Sequence, residues 1–213
     1  MKYVIMCSSE KNILRHLSKI HGETLLERTL RLLMDSGVYK EDICFTISKP
    51  LENIVLEANL LPKEMLKFNG TKHGLWCDCF VRCDEPCTYL FGDVVYSPSA
   101  IRKIVETETN RIEFFASAPP FARNYSKPWA EPFAFKVVDT DKFFYSVEKV
   151  VDLYKQGRFK RNPIAWELWQ VIKGTSINKI DYTNYTVIND YTCDIDELDD
   201  VLKFEGGEKW HII

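Results

Sequence analysis

Short apolar runs alternate with segments of helical periodicity along almost the whole chain, and this alternation limits the fold more than any other feature. Lys2 to Cys7 is rich in strand formers and turns polar at Ser8-Ser9-Glu10-Lys11, as a buried strand does where it opens into a loop. Thr24-Leu25-Leu26-Glu27 is a capping box; Leu26, Leu30 and Leu33 follow at helical spacing until Ser36-Gly37 supplies a stop. Asp42 to Ser48 predicts a strand, Pro50 to Asn59 a short helix and Met65 to Phe68 a weaker strand. Leu75 to Arg82 fits helix or strand, with helix favoured.

Thr88 to Phe91 is a buried-strand run ending on Gly92-Asp93, and Ser97-Pro98 caps and opens a helix over Ala100 to Glu106. Further strands are predicted at Ile112 to Ala116, Phe133 to Val138 and Tyr185 to Ile188. Thr140 or Asp141 caps a helix carrying Phe144, Val147, Val151 and Tyr154, Asn162-Pro163 opens another that runs to Lys173-Gly174, and Asp196 begins a short last one. Such an order predicts an α/β fold with a mostly parallel central sheet, helices on both faces and ligands at the carboxyl ends of the strands. Functional residues are therefore expected at Cys7 to Lys19, Gly92 to Val95 and Asp190 to Asp196.

A hydrophobic content of 46% over 213 residues is enough for one domain with a core on each side of a sheet. Prolines at 119, 120, 128 and 132 mark an irregular stretch. It divides residues 1–117 from a smaller C-terminal subdomain over 118–213. A net charge of −3 offers no basic field for DNA or RNA, so nucleic acid is not an expected partner. The apolar stretch at the N-terminus is too short for a signal peptide or a membrane span, which predicts a cytoplasmic protein without a membrane partner. Seven cysteines, an odd number, do not suggest a disulfide framework there.

Three stretches at predicted strand ends resemble the motifs of one family. Leu17-Ser18-Lys19-Ile20-His21-Gly22-Glu23-Thr24-Leu25-Leu26-Glu27-Arg28 is similar to the segment that leads into a "leucine-leucine-glutamate-arginine" helix in the nucleotidyltransferases acting on sugar phosphates and phosphocholine. Gly92-Asp93-Val94-Val95-Tyr96-Ser97-Pro98 resembles their central "glycine-aspartate" motif, and Asp194-Ile195-Asp196 their closing acid-isoleucine-aspartate motif. The resemblance spans nearly the whole chain. It implies a Rossmann-like domain of the GT-A type whose N-terminal half binds nucleotide and whose C-terminal half binds the acceptor. It further implies transfer of a nucleoside monophosphate from a nucleoside triphosphate to a small phosphorylated acceptor, with release of pyrophosphate.

Carried over residue by residue, the resemblance makes Asp93 and Asp196 ligands of Mg²⁺, with Asp194 a third carboxylate. Hard carboxylate oxygens suit that ion. Arg15 and Lys19 become the catalytic cations that neutralise phosphate, and Cys7, Ser8, Ser9 and Gly92 line the nucleotide. The family's glycine-rich loop is degenerate: there is no glycine between Cys7 and His21, and Leu14-Arg15 stands where proline-lysine is usual. Two alternatives follow. A glycosyltransferase of the same fold would use a sugar nucleotide, although Gly92-Asp93-Val94-Val95 lacks the second acid of an Asp-x-Asp motif; an inactive relative would only bind nucleotide or a partner.

Two clusters have plainer readings. Cys77, Cys79, Cys83 and Cys87 lack the paired two-residue gaps of common zinc sites, so reduced thiols are expected there. Trp129, Trp166 and Trp169 could face a quaternary ammonium group, but the three-residue spacing of Trp166 and Trp169 on a helix favours packing.

Overall fold

The computed structural model describes residues 1–7, 13–68, 74–119, 129–196 and 200–201. Strand β1 (Lys2–Cys7) is followed by a 3₁₀ turn (Ile13–Leu17) and a small hairpin of β2 (Lys19–Ile20) and β3 (Glu23–Thr24). Thr24 then starts α1 (Leu25–Asp35) with the capping box: its hydroxyl accepts from the Glu27 N–H at 3.2 Å, and the Glu27 carboxylate accepts from the Thr24 N–H at 3.0 Å. Next come β4 (Ile43–Ile47), α2 (Lys49–Glu57) and β5 (Leu66–Phe68). After these the chain forms β6 (Cys87–Phe91), β7 (Val94–Val95), α3 (Pro98–Glu106) and β8 (Ile112–Ser117). The last elements are β9 (Pro132–Val137), α4 (Thr140–Lys155), α5 (Ala165–Lys173), β10 (Thr186–Ile188) and β11 (Cys193–Asp194).

Seven strands form the central sheet in the order β10-β8-β9-β6-β1-β4-β5, and only β9 runs antiparallel to its neighbours. The strands are buried almost throughout, as the near-continuous apolar runs require of a sheet covered on both faces. Side chains of β9 show how each face is covered. Phe135 points to one side, where it joins Phe143 of α4 and Trp169 of α5, with Phe114 stacked on it at 4.5 Å. Lys136 points to the other side and gives its ammonium to the Ile104, Val105 and Thr107 carbonyls at the end of α3. A buried lysine is tolerated there because it satisfies the carbonyls a helix leaves unpaired at its C-terminus. Strands from both halves of the chain share this one sheet.

Three sequence expectations need correction. Leu75 to Arg82 is not a helix: Asp78 folds back to accept from the Leu75 N–H at 2.9 Å, closing a 3₁₀ turn over Trp76–Cys79. Phe80 then leaves in extended conformation to pack edge-on against Trp76, Tyr89 and Phe143. Burying those rings outweighs the helix that local periodicity allows. The N-cap of α4 is Asp139, not Thr140 or Asp141; its carboxylate accepts from the Lys142 N–H, and the buried face becomes Phe143, Ser146, Val147, Val150 and Val151. Helix α5 begins at Ala165 rather than at Asn162-Pro163, because the Asn162 side chain is spent accepting from the Trp76 N–H at 3.2 Å. The helix expected from Asp196 lies partly outside the described residues.

Candidate functional site

From β1 the chain moves outward through β4 and β5 and then returns to the opposite side of β1 as β6. The carboxyl ends of β1 and β6 therefore flank the point where the winding reverses, the place at which an open α/β sheet leaves a crevice. Gly92 closes β6 there by giving its N–H to the Met6 carbonyl at 3.0 Å. A Cβ on Gly92 would lie 2.4 Å from the Cys7 sulfur and 2.6 Å from the Met6 carbonyl oxygen, so the two strand ends approach this closely only around a glycine.

A cleft of about 890 Å³ opens at this edge. Its walls from the first half of the chain include Met6, Arg15, His16, Phe91 and Asp93; those from the second include Trp129, Glu131, Arg161, Trp166 and Tyr182. Trp76 and Asp78 of the 3₁₀ turn, and Asp194 and Asp196 of the closing segment, also line it.

Asp93 and Asp196 meet in this cleft on one guanidinium. Arg15 places one amino group 3.0 Å from Asp93 and the other 3.2 Å from Asp196. Backbone pairing explains how distant segments meet: β7 pairs antiparallel with β11, aligning Val94 with Asp194, and the Ile195 N–H gives a 2.7 Å hydrogen bond to the Asp93 carbonyl. Arg15 and Asp93 are largely shielded, whereas Asp196 is more open. Two hard oxygen donors that converge on a single positive charge are chemically suited to a divalent ion. Among the described residues no group of three or more candidate metal-ligating side chains assembles.

Sequence reasoning missed His16. Its imidazole is buried, only 1% exposed, yet lines the cleft, and neither ring nitrogen has a well-aligned hydrogen-bond partner among the described residues. The Arg15 Nε is also buried without a partner. An unsatisfied buried polar group costs about 1–3 kcal/mol. Burial pushes the His16 pKa below the ordinary histidine value, while the Asp93 carboxylate and a loose hydrogen bond to the Gly92 backbone pull it the other way. The only sequence signal was its place directly after the cation of a motif-like segment, and adjacency alone does not reveal burial.

The other expected residues are distributed as follows. The Cys7 side chain is fully buried beneath Gly92 and is not a wall of the cleft. Ser8 and Ser9 lie outside the described residues. Lys19 is exposed on β2 and is not among the cleft walls. Trp169 packs in the core against Phe114 and Phe135. Trp166 is buried but contributes to the cleft, where its ring meets Tyr182 edge-on at 4.7 Å. Trp129 is 41% exposed at the cleft, its indole N–H bonded to the Glu131 carboxylate at 3.0 Å. The seven cysteines are free thiols. Among the described residues no helix is long and apolar enough to cross a membrane.

No protein-family model matches the chain, and no curated protein matches it by sequence. Solved structures do match. The 4-diphosphocytidyl-2C-methyl-D-erythritol synthase of Anaerococcus prevotii shares 14% identity with a TM-score of 0.58, over 98% of this chain and 97% of its own. The inositol-1-phosphate CTP transferase of T. maritima shares 14% with a TM-score of 0.55, over 100% and 97%. HddC of Yersinia pseudotuberculosis, solved with GMP-PN, shares 14% with a TM-score of 0.55, over 98% and 99%. At such identities the likeness is one of architecture. From end to end, the chain shares the overall fold of these three structures.

Proposed function

We propose that the chain is a Mg²⁺-dependent nucleotidyltransferase that moves a nucleoside monophosphate from a nucleoside triphosphate to a small phosphorylated acceptor and releases pyrophosphate. The observation that carries this reading is the meeting of Asp93 and Asp196 on Arg15 at the point where the sheet reverses its winding. Asp93 and Asp196 would hold the ion, with Asp194 close by on β11. Two protein carboxylates leave the remaining positions to water and phosphate oxygens, which is how Mg²⁺ is commonly bound. When present, the ion gathers anionic oxygens and stabilises the charge that develops at the attacked phosphorus.

The chain's own residues do the rest. Arg15 neutralises phosphate charge and keeps the two carboxylates together when the ion is absent. Lys19 is a second candidate cation, and the backbone at Cys7 and Gly92, with Ser8 and Ser9 beyond it, borders the nucleotide. Residues 1–117 form the nucleotide half and 118–213 the acceptor half.

The acceptor half favours a group of phosphocholine type over a plain sugar phosphate. Trp129, Trp166 and Tyr182 line the cleft together with Glu131, whose buried carboxylate accepts from the Trp129 indole N–H, and aromatic rings near a carboxylate suit an alkylammonium.

Thermal-shift measurements test the proposal, since a ligand that binds only the native state raises its melting temperature. Stabilisation by a nucleoside triphosphate that requires Mg²⁺ supports it. Stabilisation by sugar nucleotides alone would make the chain a glycosyltransferase, and no response to either would make it an inactive relative. Phosphocholine should bind more tightly than glucose 1-phosphate, and Glu131→Gln should erase that preference.

A further inference from the structure

Among the described residues, the buried side-chain nitrogens and oxygens without a well-aligned hydrogen-bond partner are Arg15 Nε, both ring nitrogens of His16, Thr46 Oγ1 and Ser48 Oγ. They are not scattered. Thr46 and Ser48 stand at the carboxyl end of β4, the strand paired with β1, and α2, which begins directly after Ser48, packs on the 3₁₀ turn that carries Arg15 and His16. Folded chains satisfy nearly all such groups; Thr46 and Ser48 do not line the cleft, so only the groups on Arg15 and His16 can find partners in a molecule bound there. Arg15 and His16 both line the cleft, and both can donate: a guanidinium has only donors, and a neutral imidazole has one N–H to give.

We propose that His16 is a binding residue for the polyphosphate of the nucleotide, giving a ring N–H to a phosphate oxygen beside the Arg15 Nε. This rests on the nucleotidyltransferase reading above. It also supplies what the sequence lacks, because the segment from Ser8 to Ile20 contains no glycine to bring backbone amides close to phosphate. A side-chain donor on the adjoining turn takes over part of that work.

The test is calorimetric binding of each nucleoside triphosphate, with Mg²⁺, to the wild-type chain and to His16→Leu and His16→Gln. Leucine has no donor, whereas the glutamine amide retains one. A hydrogen bond to a charged oxygen predicts a loss of affinity of about ten- to a hundredfold for His16→Leu and a smaller loss for His16→Gln. Melting curves of both variants check folding, and if the leucine variant does not fold, the glutamine and His16→Asn variants carry the comparison. Wild-type binding that is unchanged in folded His16→Leu overturns the role of His16 and leaves the nucleotidyltransferase reading standing. A wild-type chain that takes up no nucleoside triphosphate overturns both.

Discussion

Replacing Gly92 with alanine should damage stability and site together. The added methyl would lie 2.4 Å from the Cys7 sulfur and 2.6 Å from the Met6 carbonyl oxygen, both far inside contact distance. Cys7 is fully buried, and the Met6 carbonyl is held by the Gly92 N–H itself at 3.0 Å, so relief requires the ends of β1 and β6 to part. Overpacking of a tight site costs about 1–3 kcal/mol, and loss of the hydrogen bond adds about 0.5–1.5 kcal/mol. The sum, about 2–4 kcal/mol, lowers the melting temperature of a domain this size by about 5–15 °C. Urea and thermal unfolding followed by tryptophan fluorescence measure it directly. Cys7→Ala in the Gly92→Ala background removes the sulfur contact but not the carbonyl contact, so it should restore only part of the loss. Because Asp93 follows Gly92, the parted strands also carry that carboxylate away from Arg15, and on the nucleotidyltransferase reading triphosphate binding should fall with stability. A Gly92→Ala chain within about 0.5 kcal/mol of wild type, or one fully restored by Cys7→Ala, would refute this reasoning.

Three further outcomes are expected. If the nucleotidyltransferase reading holds, Asp93→Asn and Asp196→Asn should each abolish most pyrophosphate release, and the double variant should lose little more, since ligands of one ion act as a unit; full activity in both single variants with a working substrate would refute the pairing. Burial pushes the Asp190 carboxyl up, but hydrogen bonds from Ser97, Thr192 and Ser99 outweigh it and hold the pKa below the ordinary value. Its stabilising effect is therefore present above the unfolded pKa and lost as pH falls through the folded one. Asp190→Ala should cost about 1–3 kcal/mol at pH 7 and progressively less below about pH 4, as read from urea midpoints across pH. The Cys83 thiol is held below the ordinary cysteine value, chiefly by the neighbouring Cys87 thiol. Iodoacetamide at neutral pH should label Cys83 ahead of the other cysteines, and Cys87→Ala should slow that labelling; equal rates in both chains would refute the coupling.

Much of the fold was legible in the sequence because the signals were local. Leu26, Leu30 and Leu33 repeat at helical spacing behind a self-contained cap at Thr24 and Glu27, and the runs at Lys2 to Cys7 and Thr88 to Phe91 are apolar on both faces, as only buried strands are. The resemblance of Gly92-Asp93 and Asp194-Ile195-Asp196 to the motifs of one family also pointed to Asp93 and Asp196. Their meeting on Arg15 was not legible, because it depends on β7 pairing with β11 and on the hydrogen bond from Ile195 to Asp93, contacts between segments far apart in the chain. Tertiary packing likewise decided the stretch after Leu75, where Phe80 enters a cluster of rings drawn from β6 and α4 that no local pattern could foretell. Burial decided His16: the residue type says that an imidazole can donate, but only the surrounding fold strips it of water and leaves its nitrogens without a well-aligned partner at the edge of a cleft.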